Sequence, residues 1–338
     1  MRESRTITVR DASSGLVAFI VLDSLALGPA AGGVRTWRYD SEKAALSDAT
    51  RLARAMTIKC AISGLDAGGG KAVVMDHPGL DRPAAFRHLG AAVEALDGAF
   101  RTAGDVGTTA SDLAAMASAT QWVHEDESGL TEAVADGLVA CLSAACRLTQ
   151  PPLTWPNLSA TVQGCGAIGG AVARGLAAQG LTLTVADLDH SRASQLALQI
   201  GAQRVSHRSV LSQSADILAP CALGGLITRD VAHALDVAVI CGAANNILAS
   251  VEAEVALKDR GIMWVPDVLA SAGAVVRGIA RTVMGLDDPA YLVRRLGDTT
   301  GEVLAEARER DTLASTVIAS RVRQRMREAG VALGGLDS

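Results

Sequence analysis

Two lysines lie in settings that could change their protonation chemistry. Lys71 follows three glycines, residues 68–70, and leads directly into an apolar stretch. Lys59 is predicted to follow a helix, in the segment Met56-Thr57-Ile58-Lys59. Burial lowers the pKa of an ammonium group toward neutrality, and a second cation nearby lowers it further. A lysine in that state can act as a general base. The alternative is that both are surface lysines whose alkyl stems cover apolar neighbours.

A carboxylate could work beside these lysines. Asp105 lies in the glycine-flanked turn Gly104-Asp105-Val106-Gly107, where it could carry protons, or could simply form an Asx turn or cap a helix. The glycines before Lys71 are interpreted as letting a ligand approach the backbone. A further glycine-rich segment, residues 28–33, predicts only a loop when taken alone.

A dinucleotide-binding pattern occurs in the second half of the chain, at Gly164, Gly166, Ala167, Ile168 and Gly169. In GxGxxG the first glycine allows a tight turn, the second admits a pyrophosphate and the third packs helix against strand. Asp187 ends the next apolar stretch, and its carboxylate would accept from a ribose 2′-hydroxyl and repel a 2′-phosphate. NAD is therefore predicted over NADP, although the nearby His190 and Arg192 weaken the preference. The alternative is a glycine turn that serves packing alone.

The elements that must position these residues follow from apolar periodicity. Strands are predicted at residues 15–23, 71–75, 159–163, 181–186, 217–219, 237–241 and 262–265. A helix capped by Asp40-Ser41 should fill the space between the first two strands, another should cover residues 167–179, and residues 289–328 are helical in pattern. Strands that alternate with helices predict a parallel, doubly wound sheet.

These patterns predict an α/β protein with two domains and a cleft between them. Residues 1–130 should form an α/β substrate-binding and catalytic domain, and residues 131–288 a Rossmann doubly wound dinucleotide-binding domain. Residues 289–338 should be helices that return toward the first domain. The acidic stretch at 124–129 is interpreted as a solvated crossing at the boundary.

Composition excludes several other classes of function. The net charge of −5 and the lack of a basic cluster argue against a nucleic-acid partner. No apolar run reaches the roughly 18 residues that a membrane span needs, and the first residues do not resemble a secretory signal. The six cysteines are predicted to be buried thiols in a reducing, cytoplasmic setting, and the six histidines show no metal-ligand spacing, so no metal is expected.

Six ordered motifs carry a resemblance over residues 15–325. They are residues 28–33, 56–59, 68–71, 105–109, 219–224 and 242–246. Together they resemble the glutamate/leucine/phenylalanine/valine dehydrogenase family, nearest to its leucine, phenylalanine and valine branch, with tryptophan dehydrogenase left open as a further member of that branch. The resemblance implies NAD-dependent oxidative deamination of an L-amino acid to a 2-oxo acid and ammonia, by a homodimer or higher homo-oligomer.

The resemblance also implies residue roles. Lys59, with Gly32 and Gly33, should hold the substrate α-carboxylate, and Met56 should line the same site. Lys71 should activate the water that attacks the imine, and Asp105 should bind the amino group. The cofactor should contact the glycine turn and a further set of residues: Asp187, Leu188, Cys221, Ala222, Ala243 and Asn245.

Two departures from the family pattern leave a second interpretation open. Ser271 stands where the family commonly has an asparagine that helps position substrate and cofactor, and Val134 stands where a threonine is usual. A serine reaches less far than an asparagine. The chain could therefore be a catalytically impaired NAD-binding relative. A third possibility is an oxidoreductase that acts on a hydroxy acid or a cyclic imine.

Small residues at expected pocket positions bear on the substrate. Ala31, Ala103 and Gly278 leave room for a large side chain, which favours a bulky apolar or aromatic amino acid over valine. Ala31 also replaces the lysine of the glutamate-specific branch, which argues against glutamate. Arg277 and Arg281 could be a solvated face, phosphate contacts, or contacts to a polar substrate.

Overall fold

The structure is a computed structural model that describes residues 4–126 and 128–334, with side chains as far as residue 329. The chain forms two compact units. The first comprises residues up to 128 together with 278–289 and the chain from 321 onward, and the second comprises 129–277 and 290–320. Within the described ranges, no helix has both the length and the apolar character needed to cross a membrane.

The part of the first unit before residue 128 contains a five-stranded mixed sheet and three helices. The strands are β1 (Arg5–Asp11), β2 (Leu16–Leu22), β3 (Ala30–Trp37), β4 (Gly68–Met75) and β5 (Phe100–Gly104), and the helices are α1 (Glu42–Ile62), α2 (Arg82–Glu94) and α3 (Ala110–Ala117). The spatial order is β1-β2-β4-β3-β5. Strands β3, β4 and β5 run parallel, and β2 is antiparallel to both β1 and β4. Three parallel strands therefore end at the same edge of the sheet.

Helix α1 begins where the sequence predicts it. The Ser41 hydroxyl accepts a hydrogen bond from the Ala44 backbone N–H at 3.2 Å, which satisfies one of the free donors of the first turn. Ala45, Ala49 and Ala53 are fully buried on the face that packs against the sheet. The helix continues to Ile62, so the segment 56–59 lies inside it rather than after it.

The glycines before Lys71 serve packing, which corrects the interpretation that they admit a ligand. They belong to β4 itself, which begins at Gly68. A methyl group on Gly69 would lie 2.1 Å from the Thr57 backbone nitrogen of α1, and one on Gly70 would lie 2.8 Å from the Phe100 ring. Their absence of side chains lets α1 and β5 approach β4 closely.

The second unit contains a six-stranded parallel sheet. Its elements are α4 (Leu130–Leu148), β6 (Ser159–Gln163), α5 (Ala167–Ala178), β7 (Thr182–Ala186), α6 (His190–Ile200), β8 (Gln203–Arg204), β9 (Ala215–Pro220), α7 (Arg229–Ala234), β10 (Val237–Ile240), α8 (Val251–Asp259), β11 (Met263–Trp264) and α9 (Asp267–Ala270), with a 3₁₀ turn at Val210–Ser212. The spatial order is β11-β10-β9-β6-β7-β8.

That strand order is the Rossmann order, and it confirms the predicted doubly wound domain. Numbered from β6, the order reads 6-5-4-1-2-3, so the chain reverses direction across the sheet between β6 and β9. Ligands of open parallel sheets bind beyond the carboxyl ends of the strands at such a switch point. The five strands predicted in this half of the chain are all present.

The C-terminal part is helical, as predicted. It comprises α10 (Gly273–Met284), α11 (Ala290–Glu309) and α12 (Ala314–Gly334). Helix α11 packs closely on α4, where a methyl group on Gly297 would lie 2.8 Å from the Ala140 carbonyl oxygen. Near the end of α12, the Arg325 guanidinium donates to the Ala61 carbonyl oxygen at 2.6 Å.

Candidate active site

A buried ion pair joins the two residues predicted to do the chemistry. The Lys71 ammonium nitrogen, Nζ, lies 2.7 Å from Asp105 Oδ2, and the lysine side chain is only 8% exposed. Lys71 is in β4 and Asp105 follows β5, on either side of β3 in the sheet. Residues 34 positions apart in the sequence are thus brought together by strand order. For Asp105, the helix N-cap alternative is wrong because Thr109 caps α3.

Burial and charge set the protonation of this pair in opposite ways. Burial lowers the pKa of Lys71 below its ordinary value, and the charge of Asp105 only partly opposes this. Burial alone would raise the pKa of Asp105, but the charges of Lys71 and Arg35 outweigh it and hold that pKa below the ordinary value. The arrangement favours an ionised aspartate beside a lysine that can lose its proton.

Two glycines of β3, Gly32 and Gly33, lie close to the segments that carry Lys71 and Asp105. A methyl group on Gly33 would lie 2.6 Å from the Gly104 carbonyl oxygen and 3.0 Å from Asp105 Cβ. One on Gly32 would lie 1.8 Å from the Gly70 carbonyl oxygen and 3.4 Å from Met56 Cγ. The backbone of β3 can lie this close to its neighbours only without side chains. Gly33 therefore lies against Asp105, while Gly32 lies between Met56 and Gly70, the residue before Lys71.

The second lysine is also buried. Lys59 is 9% exposed and lies in the last turn of α1, the helix that packs against β4. The alternative that both lysines lie on the surface is therefore wrong. Burial of a long charged side chain is uncommon without a function or a partner.

The three small residues predicted to line the substrate pocket differ in their settings. Ala31 is fully buried in β3, where it pairs with Gly69 and Arg101, so its methyl group is in the core rather than on an accessible surface. Ala103 in β5 is half-buried. Gly278 is buried within α10.

The glycine turn of the second unit has the geometry that a dinucleotide needs. Gly164 has a φ of +97°, which is strained for residues with a side chain. A methyl group on Gly169 would lie 2.0 Å from the Gly164 carbonyl oxygen, so the third glycine allows close helix packing. At Gly166 no atom lies within 4 Å of such a methyl group, and no side chain caps the N-terminus of α5. The open position and the free N–H groups of Ala167 and its neighbours fit a pyrophosphate.

Asp187 holds this turn in place. Its Oδ2 accepts from the Cys165 backbone N–H at 2.6 Å and its Oδ1 accepts from the Asp189 backbone N–H at 2.8 Å. Arg192 lies 3.8 Å from Oδ2 and is half-exposed. Two apolar side chains are exposed beside the turn, Ile168 and the 70%-exposed Leu188. Apolar surface next to a glycine turn fits the packing of an adenine ring.

The other cofactor candidates follow the carboxyl ends of neighbouring strands. Cys221 and Ala222 come directly after β9, and a methyl group on Gly164 would lie 2.8 Å from Ala222 Cβ. Ala243 and Asn245 follow β10.

Ser271, predicted for the substrate, lies in the same unit. Its hydroxyl donates to the Asp267 carbonyl oxygen at 2.6 Å and lies 3.4 Å from Asn245 Oδ1.

Comparison with known proteins agrees with this geometry. The Glu/Leu/Phe/Val dehydrogenase dimerisation domain matches residues 4–122, and the Glutamate/Leucine/Phenylalanine/Valine dehydrogenase domain matches residues 184–280. The chain belongs to the glutamate/leucine/phenylalanine/valine dehydrogenase family. The predicted family is confirmed, and with it the prediction of an oxidoreductase of the amino acid dehydrogenase class.

Relatives within this family match most of the chain. A leucine dehydrogenase of Bacillus subtilis is 35% identical over 79% of this chain and 75% of its own length. A valine dehydrogenase of Streptomyces coelicolor is 34% identical over 96% of this chain and 92% of its own. The solved L-tryptophan dehydrogenase from Nostoc punctiforme has a TM-score of 0.86 at 28% identity, covering 97% of each chain.

One functional candidate was missed by the sequence analysis. The Arg35 guanidinium donates from Nε to Asp105 Oδ2 at 3.0 Å and from Nη1 to Asp48 Oδ2 at 3.2 Å. A signal was available, because Arg35 lies two residues after Gly33 and shares its face of a strand. The prediction of a loop at residues 28–33 hides this signal.

Proposed function

We propose that this protein catalyses the reversible, NAD-dependent oxidative deamination of an L-amino acid with a bulky apolar or aromatic side chain. The observation that carries the proposal is the buried pair of Lys71 and Asp105 beside the glycine backbone of β3. Buried titratable groups with shifted pKa values and a specific charge partner are typical of active sites. Similarity to leucine and tryptophan dehydrogenases supports the substrate class.

Each residue has a defined part in the proposed reaction. Lys59 and the backbone of Gly32 and Gly33 bind the α-carboxylate and orient Cα. Asp105 accepts a proton from the substrate ammonium group, so that the amine nitrogen can form the imine. Lys71, as a neutral amine, takes a proton from the water that attacks the imine carbon and returns it to the nitrogen. The C–N bond then breaks, ammonia leaves, and the new hydroxyl group loses its proton to form the 2-oxo acid. When NAD is bound, its nicotinamide ring accepts the hydride that the substrate Cα loses.

A paired screen tests this proposal. Leucine, phenylalanine, tryptophan and valine are tested with NAD and with NADP, and the matching 2-oxo acids are tested with the reduced cofactors and ammonia. We expect NAD-dependent turnover of an amino acid and an absolute need for ammonia in the reverse direction. Reduction of an oxo acid without ammonia would indicate a hydroxy-acid dehydrogenase. NADH binding without any turnover would indicate an impaired relative.

Lys59→Ala is expected to raise KM for the amino acid about 100-fold, with a smaller effect on kcat. The reason is that a charge-assisted hydrogen bond to a carboxylate contributes about 1.5–3 kcal/mol to binding. Initial-rate kinetics measure both constants. Lys43→Ala is the matched control, because Lys43 is an exposed lysine on the same helix. A KM unchanged from that of the control would remove Lys59 from the carboxylate site.

Asp187→Ser is expected to weaken NADH binding about tenfold and to leave NADPH binding unchanged or tighter. The substitution removes the charge that repels a 2′-phosphate and the acceptor that holds the glycine turn. Quenching of protein fluorescence measures both dissociation constants without turnover. Asp189→Ser is the control, because Asp189 also accepts backbone hydrogen bonds but caps α6. Equal weakening of both nucleotides would show that Asp187 has only a structural role.

The assembly and the compartment follow from the same proposal. The matched dimerisation domain supports a homodimer or a larger homo-oligomer. The six cysteines are all free thiols, and burial raises the pKa of every one of them, which disfavours the reactive thiolate. These properties support a reducing, cytoplasmic location.

A further inference from the structure

An arginine connects the candidate acid–base pair to the helix that covers the sheet. Arg35 contacts two carboxylates at once, Asp105 after β5 and Asp48 on α1. Its Nε donates to the same oxygen of Asp105 that contacts Lys71, so two cations converge on Oδ2. The Arg35 side chain is 22% exposed, so solvent screens these contacts much less than on an open surface.

The far end of this connection is itself anchored. The Tyr39 hydroxyl donates to Asp48 Oδ2 at 2.7 Å, and Arg51 pairs with Asp48 Oδ1. Burial alone would raise the pKa of Asp48, but these hydrogen bonds and the charge of Arg35 hold it below the ordinary value. Asp48 is therefore an ionised, oriented carboxylate that can fix the position of Arg35.

We propose that Arg35 is a positioning residue of the reaction: it fixes the orientation of the Asp105 carboxylate beside Lys71, while Asp48 and Tyr39 anchor it. The reaction itself rests on the proposed function. Arg35 needs no contact with substrate in this role, because it acts through Asp105.

The charge of Arg35 opposes the tendency of Asp105 to keep Lys71 protonated. Alone, an ionised aspartate stabilises the lysine in its charged form, which cannot act as a base. The Arg35 charge lowers the pKa of Lys71 and also lowers that of Asp105. One cation thus favours both working forms, a neutral lysine and an ionised aspartate. Asp48 balances its charge.

An arginine suits this position for a geometric reason. Its planar fork presents several N–H groups in fixed directions, so it can join two carboxylates that lie on different elements. A lysine would keep the positive charge but could not hold both carboxylates in the same orientation. Charge and geometry can therefore be separated by substitution.

The test compares Arg35→Gln with Arg35→Lys. The chain has only four lysines, so the Lys71 Nζ signal can be assigned by single substitutions and titrated by ¹⁵N NMR. In Arg35→Gln we expect the pKa of Lys71 to rise by about one pH unit. The acidic limb of the deamination pH profile should move up by a similar amount, and kcat should fall about 10- to 100-fold while KM changes less. Arg35→Lys should leave the pKa of Lys71 unchanged but lower kcat in part.

Two further variants complete the test. Asp48→Asn should move the pKa of Lys71 in the opposite direction, downward, because Asp48 raises it. Arg10→Gln is the control, since Arg10 forms an exposed arginine–carboxylate pair with Glu42 in the same unit. Arg10→Gln should leave the pKa of Lys71 and the kcat unchanged.

The outcomes are decisive. A lower melting temperature in Arg35→Gln with an unmoved Lys71 pKa would overturn the proposal, because Arg35 would then serve the fold alone. If Arg35→Gln does not fold, a wild-type kcat in Arg35→Lys would overturn it, because the planar fork of Arg35 would then not be needed to position Asp105. If the wild-type protein turns over no amino acid, the proposed function fails, whereas the NMR titrations still decide the role of Arg35.

Discussion

Lys71→Ala is expected to lower kcat for oxidative deamination by about a thousandfold while the protein stays folded. The lysine is the proposed base for the water, and general base catalysis typically contributes factors of about 10² to 10⁴. The substitution also leaves a space beside Asp105 where the lysine side chain was. Arg35 still compensates the negative charge of the Asp105 carboxylate. Steady-state kinetics at saturating substrate and cofactor measure the loss.

Rescue and pH dependence separate a base from a merely structural lysine. In the wild-type protein, deamination should increase as pH rises through the pKa of Lys71, which lies below the ordinary lysine value, because the neutral amine is the active form. This limb should vanish in Lys71→Ala, and a small alkylamine that fits the space should restore part of the rate. Lys43→Ala, at an exposed lysine, is the control. Normal turnover by folded Lys71→Ala protein would exclude the proposed role.

Asp105→Asn is expected to have the second-largest effect, a fall in kcat of about 100-fold. Asparagine has nearly the same shape but carries no charge and cannot take a proton from the substrate ammonium group. The pKa of Lys71 should fall, because the carboxylate raises it, so the acidic limb of the pH profile should move to lower pH. Arg35→Gln should move the same limb to higher pH.

The control for Asp105→Asn is Asp40→Asn, which removes an exposed carboxylate just before α1. A thermal melt of each variant checks the fold. If Asp105→Asn retained the wild-type kcat and pH profile, Asp105 would carry no protons in the reaction. The pair with Lys71 would then be only an ion pair of the core.

The two halves of the molecule differed in how well the sequence predicted them. In the second unit every predicted strand is present, because its buried parallel strands are short apolar runs bounded by turns. In the first unit, β3 was interpreted as a loop because Gly32 and Gly33 give it a low strand propensity. Those glycines are in a strand because its neighbours on both sides lie too close for side chains.

In the candidate site, some features follow from short sequence patterns and others depend on how distant segments pack together. The cap at Ser41, the turn at Gly164 and the family motifs are local patterns, so the sequence alone determined them. The meeting of Arg35, Lys71 and Asp105 depends on the order of β4, β3 and β5 in the sheet, which no local pattern contains. The burial that depresses the pKa of Lys71 also arises only when α1 covers the sheet. Tertiary structure therefore decided which charged groups meet, because contacts and desolvation come from packing between segments distant in the sequence.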